Sequence, residues 1–93
     1  MYIILTYDVS QRSSSRIMKT CRKYLNHVQK SVFEGEISEK ALNKLKNELS
    51  PLINTRIDAC SIYEIQNTKF VKKEMIGQVS RADDCFINPS KQN

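Results

Sequence analysis

MYIILTYDVSQRSSSR, residues 1–16, decides how the rest of the chain is to be read. From Tyr2 to Tyr7 the chain is apolar, with Ile3, Ile4 and Leu5 in succession, so it lacks the alternation of a strand with one wet face. Such a run predicts a central strand covered on both faces. It stops at Asp8, and a polar, basic segment follows. A carboxylate at the end of a buried strand has two readings. It can close an Asx-turn by accepting from the backbone near Ser10, or it can serve as a hard oxygen ligand in a functional site.

Working outward, Ser13 or Ser14 is placed to cap a helix. Ile17, Met18, Cys21, Tyr24 and Leu25 then recur at helical spacing, while Arg16, Lys19, Arg22 and Lys23 fall largely outside that face. Asn26 and His27 end this helix. Val28 to Ile37 reads as strand, either one bent strand or two, with Gly35 marking a bulge or bend. Ser38 caps a second helix whose buried stripe is Leu42, Leu45 and Leu49, extended by Leu52 or Ile53. Glu39 favours its first turn, and Pro51 closes it. Asp58 to Gln66 forms a further strand, with Ile57, Ala59, Ser61, Tyr63 and Ile65 on one face and Cys60 and Ile62 on the other. Phe70, Val71, Met75 and Ile76 suggest a late strand ending at Gly77. Residues 78–93 read as a polar tail, mobile or ordered on a partner.

The order β-α-β-β-α-β predicts an α+β fold, a ferredoxin-like unit with both helices on one sheet face, occupying residues 1–77 with its late strand. The other face of the sheet is then bare, although the strands near 2–7 and 57–65 are apolar on both sides. A second copy is the simplest cover, so a homodimer is expected.

The totals agree. Ninety-three residues make one small domain, which buries only roughly 60–65% of its unfolded surface and gains from oligomerisation. Cys21, Cys60 and Cys85 are odd in number and widely spaced, without a C-x-x-C, and the single His27 completes no zinc site of usual spacing. They read as small hydrophobes in a reducing, cytoplasmic compartment, with Cys85 exposed in the tail. The opening apolar run is too short for a signal or membrane span.

The net charge of +5 is unevenly placed. The first thirty residues hold Arg12, Arg16, Lys19, Arg22, Lys23 and Lys30 against Asp8 alone, whereas basic and acidic residues cancel over 31–93. Some of that charge is a solvated helix face. Its concentration also suits a polyanion.

Tyr7–Asp8–Val9–Ser10 at the end of the first strand, Arg16 beyond it, the run VQKSVFEGEIS at Val28–Ser38 and the closing SIYEI at 61–65 together resemble the small CRISPR-associated endoribonuclease family, the second protein of the CRISPR spacer-acquisition pair. Many relatives carry Arg before V-Q and an aromatic after it, where this chain has His27 and Lys30. The resemblance implies a ferredoxin-like homodimer in which the last strand of each chain joins the other's sheet. It also implies a role in bridging pairs of integrase subunits while double-stranded DNA lies across the dimer. Some members act as magnesium-dependent nucleases on single-stranded RNA or duplex DNA, and others only as scaffolds.

With that resemblance, Asp8 is the candidate catalytic residue and the candidate ligand for Mg²⁺ or Mn²⁺, with two-fold symmetry bringing two copies to one cleft. Arg12, Arg16, Lys19 and Lys30 are candidates for phosphate contacts. Tyr7, His27, Ser31 and Phe33 are supporting candidates. Tyr7 is expected to pack beside Asp8. His27 is a general base by its intrinsic chemistry, or a surface residue at a helix end. Ser31 matches the family run, and Phe33 reads as core or dimer interface, with base stacking the alternative. Two other functions compete. A non-catalytic ferredoxin-like nucleic-acid binder should show glycine and interleaved aromatics, which SVFEGEI lacks. A small-molecule regulatory dimer of the same fold offers no reason for the basic first third and no salt-dependent DNA affinity.

Overall fold

The computed structural model describes residues 1–67 together with Lys69, Lys72, Glu74 and Ile76. The strand expected near 70–77 falls largely, and the tail over 78–93 entirely, outside the described residues. The elements run β1 (Tyr2–Asp8), α1 (Gln11–Arg22), β2 (Asn26–Gln29), β3 (Val32–Glu36), α2 (Glu39–Leu49), a short 3₁₀ turn (Ser50–Leu52) and β4 (Ala59–Ile65). The four strands form one antiparallel sheet in the order β2-β3-β1-β4. Among the described residues no helix is long and apolar enough to cross a membrane.

Strand β1 is central, paired with β3 on one edge and β4 on the other. Its side chains alternate. Ile3, Leu5 and Tyr7 are buried, whereas Tyr2, Ile4 and Thr6 are only half-buried. The buried set joins Phe33 of β3, Ile17 and Cys21 of α1, and Leu42, Leu45 and Leu49 of α2 in a single core. Both helices therefore cover the same sheet face. On the opposite face Tyr63, the partner of Ile4, is 57% exposed, and Ile57 just before β4 is 68% exposed. Among the described residues nothing closes that face over Tyr63.

Helix α1 starts at Gln11, with Ser10 rather than Ser13 or Ser14 at the N-cap position, and Ser10's side chain makes no cap bond. Ser38 caps α2 as its position predicts, accepting from the Ala41 N–H at 3.1 Å. The helices are tied at the surface by Lys23 and Tyr24, which both donate to Glu48. That contact lowers the Glu48 carboxyl and raises both of its partners.

The stretch over 28–37 is a hairpin of two strands, not one bent strand. Its irregularity lies at Val28, not at Gly35: His27 pairs with Phe33 and Gln29 with Val32, so Val28 is the extra residue of a bulge. This is why His27 and Val28, adjacent in sequence, are both buried. Asn26 and His27 accordingly belong to β2 and do not end α1. Gly35 instead permits close approach. Its φ is +157°, and a Cβ there would stand 3.2 Å from the Asn26 Nδ2.

Phe33 is fully buried, with Tyr7 on one side and His27 on the other. Phe33→Ala is expected to cost about 3–5 kcal/mol, a large part of the roughly 5–15 kcal/mol that stabilises a whole domain. Urea melts should show a strongly lowered midpoint, and Phe33→Leu should fall between that variant and the wild type.

Candidate nucleic-acid interface

Of the site candidates, Tyr7, Asp8, Lys30 and Ser31 come together at the end of β1, where four segments meet. These are the last residues of β1, the first turn of α1, the β2–β3 turn at Lys30–Ser31, and the approach to β4. A cavity of about 420 Å³ lies there, lined by Tyr7, Asp8, Val9, Ser14, Lys30 and Ser31. Asp8 is exposed on its rim. It makes no Asx-turn with Ser10, because the Ser10 N–H is taken by another carboxylate, Asp58, at 2.9 Å. Among the described residues the Asp8 carboxylate has no hydrogen-bond or ion-pair partner.

Asp58 is the residue that sequence reasoning missed. It is buried, and its two oxygens accept from the backbone N–H groups of Asn54 (2.9 Å) and Ser10 (2.9 Å) and from the Ser13 hydroxyl (3.4 Å). The bonds from Asn54 and then Ser10 hold its carboxyl below the usual carboxylate range. Helix α1 has no acidic residue in its own first turn; Asp58 supplies that negative charge from forty-eight residues away. The N-terminus of α1 is thereby occupied from within the chain.

Tyr7 is buried and its phenol is hydrogen-bonded to Ser14 and to the Lys30 carbonyl (3.4 Å). Burial, more than any neighbour, pushes the Tyr7 hydroxyl upward, so it stays protonated. Ser31 is half-buried in the cavity wall, and its carbonyl accepts from the Tyr7 N–H at 3.1 Å. His27 is buried rather than at the surface. Its ring lies 4.4 Å from that of Phe33 and within 9° of parallel, and its Nε2 is 3.1 Å from the Lys30 carbonyl. Phe33 belongs to the core, the first of its sequence readings.

Arg12, Arg16 and Lys19 are exposed and recur at steps of four and three along α1, so they form one stripe about 10 Å long. Among the described residues none of the three meets a carboxylate. Lys30 stands apart from this stripe, in the cavity with Asp8. The cysteines within the described residues are chemically quiet. Burial, and then Cys60, pushes the Cys21 thiol up to about 12, and burial raises Cys60 as well. Both remain thiols and pack as small apolar groups.

Among the described residues no group of three or more His, Cys, Asp or Glu side chains is placed to hold a metal ion. What the cavity offers is one exposed carboxylate, three hydroxyls (Tyr7, Ser14 and Ser31) and one ammonium. That set fits a Mg²⁺ bound through a single carboxylate, with water and phosphate oxygens filling its other positions, and does not fit an all-protein cage.

The profile of the family described as "CRISPR associated protein Cas2" matches residues 1–73. The "CRISPR-associated endoribonuclease Cas2" of Thermotoga maritima is 41% identical over 87 residues, covering 94% of this chain and 99% of the relative. Its namesake from Fusobacterium nucleatum is 37% identical over 92 residues, covering 94% and 87%. Among solved structures, Streptococcus pyogenes Cas2 at pH 6.5 superposes with a TM-score of 0.74 at 26% identity, covering 83% of this chain and all of that one. Another Cas2 crystal structure gives 0.76 at 33% identity, covering 84% and 87%.

Asp58 yields a pH-dependent prediction. Its carboxyl is depressed in the folded state, so the stability it adds is present above the ordinary carboxylate value of about 4 and is lost as pH falls through the lower folded value. Asp58→Asn should melt below wild type near neutrality, and the gap should close on acidification. Thermal melts of both proteins across the acid range check this, and a gap that does not change with pH would assign the loss to packing alone.

Proposed function

This chain belongs to the Cas2 family of CRISPR-associated proteins, and from that membership we propose that it acts in spacer acquisition as a homodimer that binds duplex DNA and joins integrase subunits, with a Mg²⁺-dependent phosphodiester-cleaving site at Asp8. The observation that carries the nuclease part is the exposed Asp8 carboxylate at the end of β1, without a partner among the described residues and lining a cavity that also holds Lys30. Asp8 and Lys30 line the same cavity, so a ligand seated there can meet both charges. The strand order β2-β3-β1-β4, with β3 between β1 and β2, supports the ferredoxin-like reading. The sheet face on which Tyr63 is exposed supports a second copy as its cover.

Bound at Asp8, a divalent cation supplies charge neutralisation at a phosphate and a water more acidic than bulk. The chain's own groups do the rest. Asp8 fixes the position of that charge at the end of a strand hydrogen-bonded on both edges. Lys30 is placed to pair with a non-bridging phosphate oxygen, and the Ser14 and Ser31 hydroxyls are donors in the same wall. Arg12, Arg16 and Lys19 hold the polynucleotide backbone along α1 without reading sequence. The relatives' name, endoribonuclease, makes RNA a substrate to set beside duplex DNA.

Asp8→Asn should lower cleavage of either substrate by about 100-fold or more while leaving the melting temperature unchanged, since Asp8 has no partner among the described residues to forfeit. It should still bind duplex DNA. Full metal-dependent cleavage by this variant would remove Asp8 from the chemistry, and a wild type that cleaves neither substrate would leave the scaffold role alone.

Arg12→Ala combined with Arg16→Ala should weaken binding equally for unrelated duplexes. It should also flatten the slope of log K against log salt by about 0.9 for each phosphate that the variant no longer neutralises. Titrations at several salt concentrations check this, and an unaltered slope would move the DNA surface off α1.

A further inference from the structure

His27 is buried, stacked on Phe33 and engaged at both ring nitrogens, and the proposed chemistry does not use it. The bulge at Val28 turns its ring inward onto Phe33. Nε2 lies 3.1 Å from the Lys30 carbonyl, an oxygen that can only accept, so Nε2 carries the proton. Nδ1 then offers its lone pair to the Arg22 guanidinium, with Nη2 at 3.4 Å. Both nitrogens are engaged away from the cavity, an arrangement suited to holding a backbone and not to moving a substrate proton.

The backbone it holds is the wall that carries Lys30. That turn is attached to the end of β1 at two further points, by the Tyr7 phenol on the Lys30 carbonyl at 3.4 Å and by the Tyr7 N–H on the Ser31 carbonyl at 3.1 Å. Of the two bonds that the Lys30 carbonyl accepts, the one from His27 is the shorter. The turn joins β3 to β2, and β2 is an edge strand of four residues interrupted by the bulge. Short edge hairpins open at little cost, so the position of the Lys30 cation depends on these attachments.

We infer that His27 is a positioning residue that locks the Lys30–Ser31 turn against the end of β1, so that the Lys30 ammonium stands in one cavity with Asp8 for a polynucleotide phosphate to occupy. The choice of phosphate as occupant rests on the nucleic-acid reading above; the locking does not. A fixed cation meets a phosphate without first losing the freedom of a mobile turn, which raises its contribution to binding.

Three substitutions in the full chain separate the parts. His27→Phe keeps an aromatic ring over Phe33 and removes both nitrogens. His27→Gln restores a donor at the reach of Nε2, and Lys30→Ala removes the cation. Amide exchange followed by NMR should show the Tyr7 N–H exchanging about 10-fold faster or more in His27→Phe, with the amides shared by β1 and β4 unchanged. Lys30→Ala should weaken duplex DNA binding in the wild type and flatten its salt slope by about 0.9. In the His27→Phe background the same change should have little effect. His27→Gln should return both readouts towards wild type. His27→Leu takes the place of His27→Phe if the larger ring is not accommodated. Wild-type exchange at Tyr7 in the ring variants overturns the inference, and so does a Lys30→Ala penalty of equal size in both backgrounds. A Lys30→Ala protein that binds DNA normally overturns the phosphate contact and leaves Tyr7 exchange to judge the locking on its own.

Discussion

Strand β1 is hydrogen-bonded on both edges, and that double pairing determines where everything else can go. Because β3 and β4 both run antiparallel to β1, and β2 runs antiparallel to β3, the pairs β1/β2 and β3/β4 each point the same way. Strands that point the same way cannot be joined by a tight turn; each pair needs a crossover of about a dozen residues. Helices α1 and α2 are those crossovers, and both land on one sheet face, where their apolar stripes share a core with Ile3, Leu5 and Phe33. The same geometry brings the start of α1, the β2–β3 turn and the start of β4 to the end of β1 that carries Asp8. Tyr7, Asp8, Lys30 and Ser31 are neighbours because the topology leaves them no other place.

Two aspartates at that end have opposite fates. Asp58 is surrounded by donors, and its carboxyl is held low by the backbone amides of Asn54 and Ser10. Its role is structural, joining the start of α1 to the approach to β4. Asp8, one strand-end away, receives none of those donors. Had Ser10 turned its N–H to Asp8, as an Asx-turn requires, Asp8 would be the structural residue and the α1 N-terminus would have needed another anion. The division between the two carboxylates is what leaves one of them available for a ligand.

Most of the fold is legible in local patterns. The apolar run of β1, the 3.6-residue periods of both helices and the Ser38 cap are decided by residues within one or two turns of each other, and they stand where the sequence puts them. The misplacements share a cause. Ser13 or Ser14 is the reasonable local cap for α1, but the charge at that terminus comes from Asp58 across the fold. Gly35 is the reasonable local signal for a bulge. It serves instead to let Asn26 approach, and the bulge falls at Val28, where the pairing of β2 with β3 decides it. His27 reads as a helix end because nothing nearby in sequence announces that Phe33 will stack on it. Asp8, read through the resemblance, and Lys30, read as a basic departure from it, line one cavity, but the contacts that orient them are not legible in sequence.

The open sheet face and the single carboxylate pose one problem, not two. Among the described residues Tyr63 faces solvent on the side of β1 away from the helices. The cavity at the end of β1 offers Mg²⁺ one carboxylate where such ions usually take one or two. An isologous dimer formed through that face, as proposed, covers the exposed side chains. If its axis passes near the ends of the two β1 strands, it adds a second Asp8 and a second Lys30 to the same region. Two carboxylates close together repel unless a cation lies between them. Metal binding and dimer closure would then favour each other, and the chemistry would depend on an interface that no single chain contains.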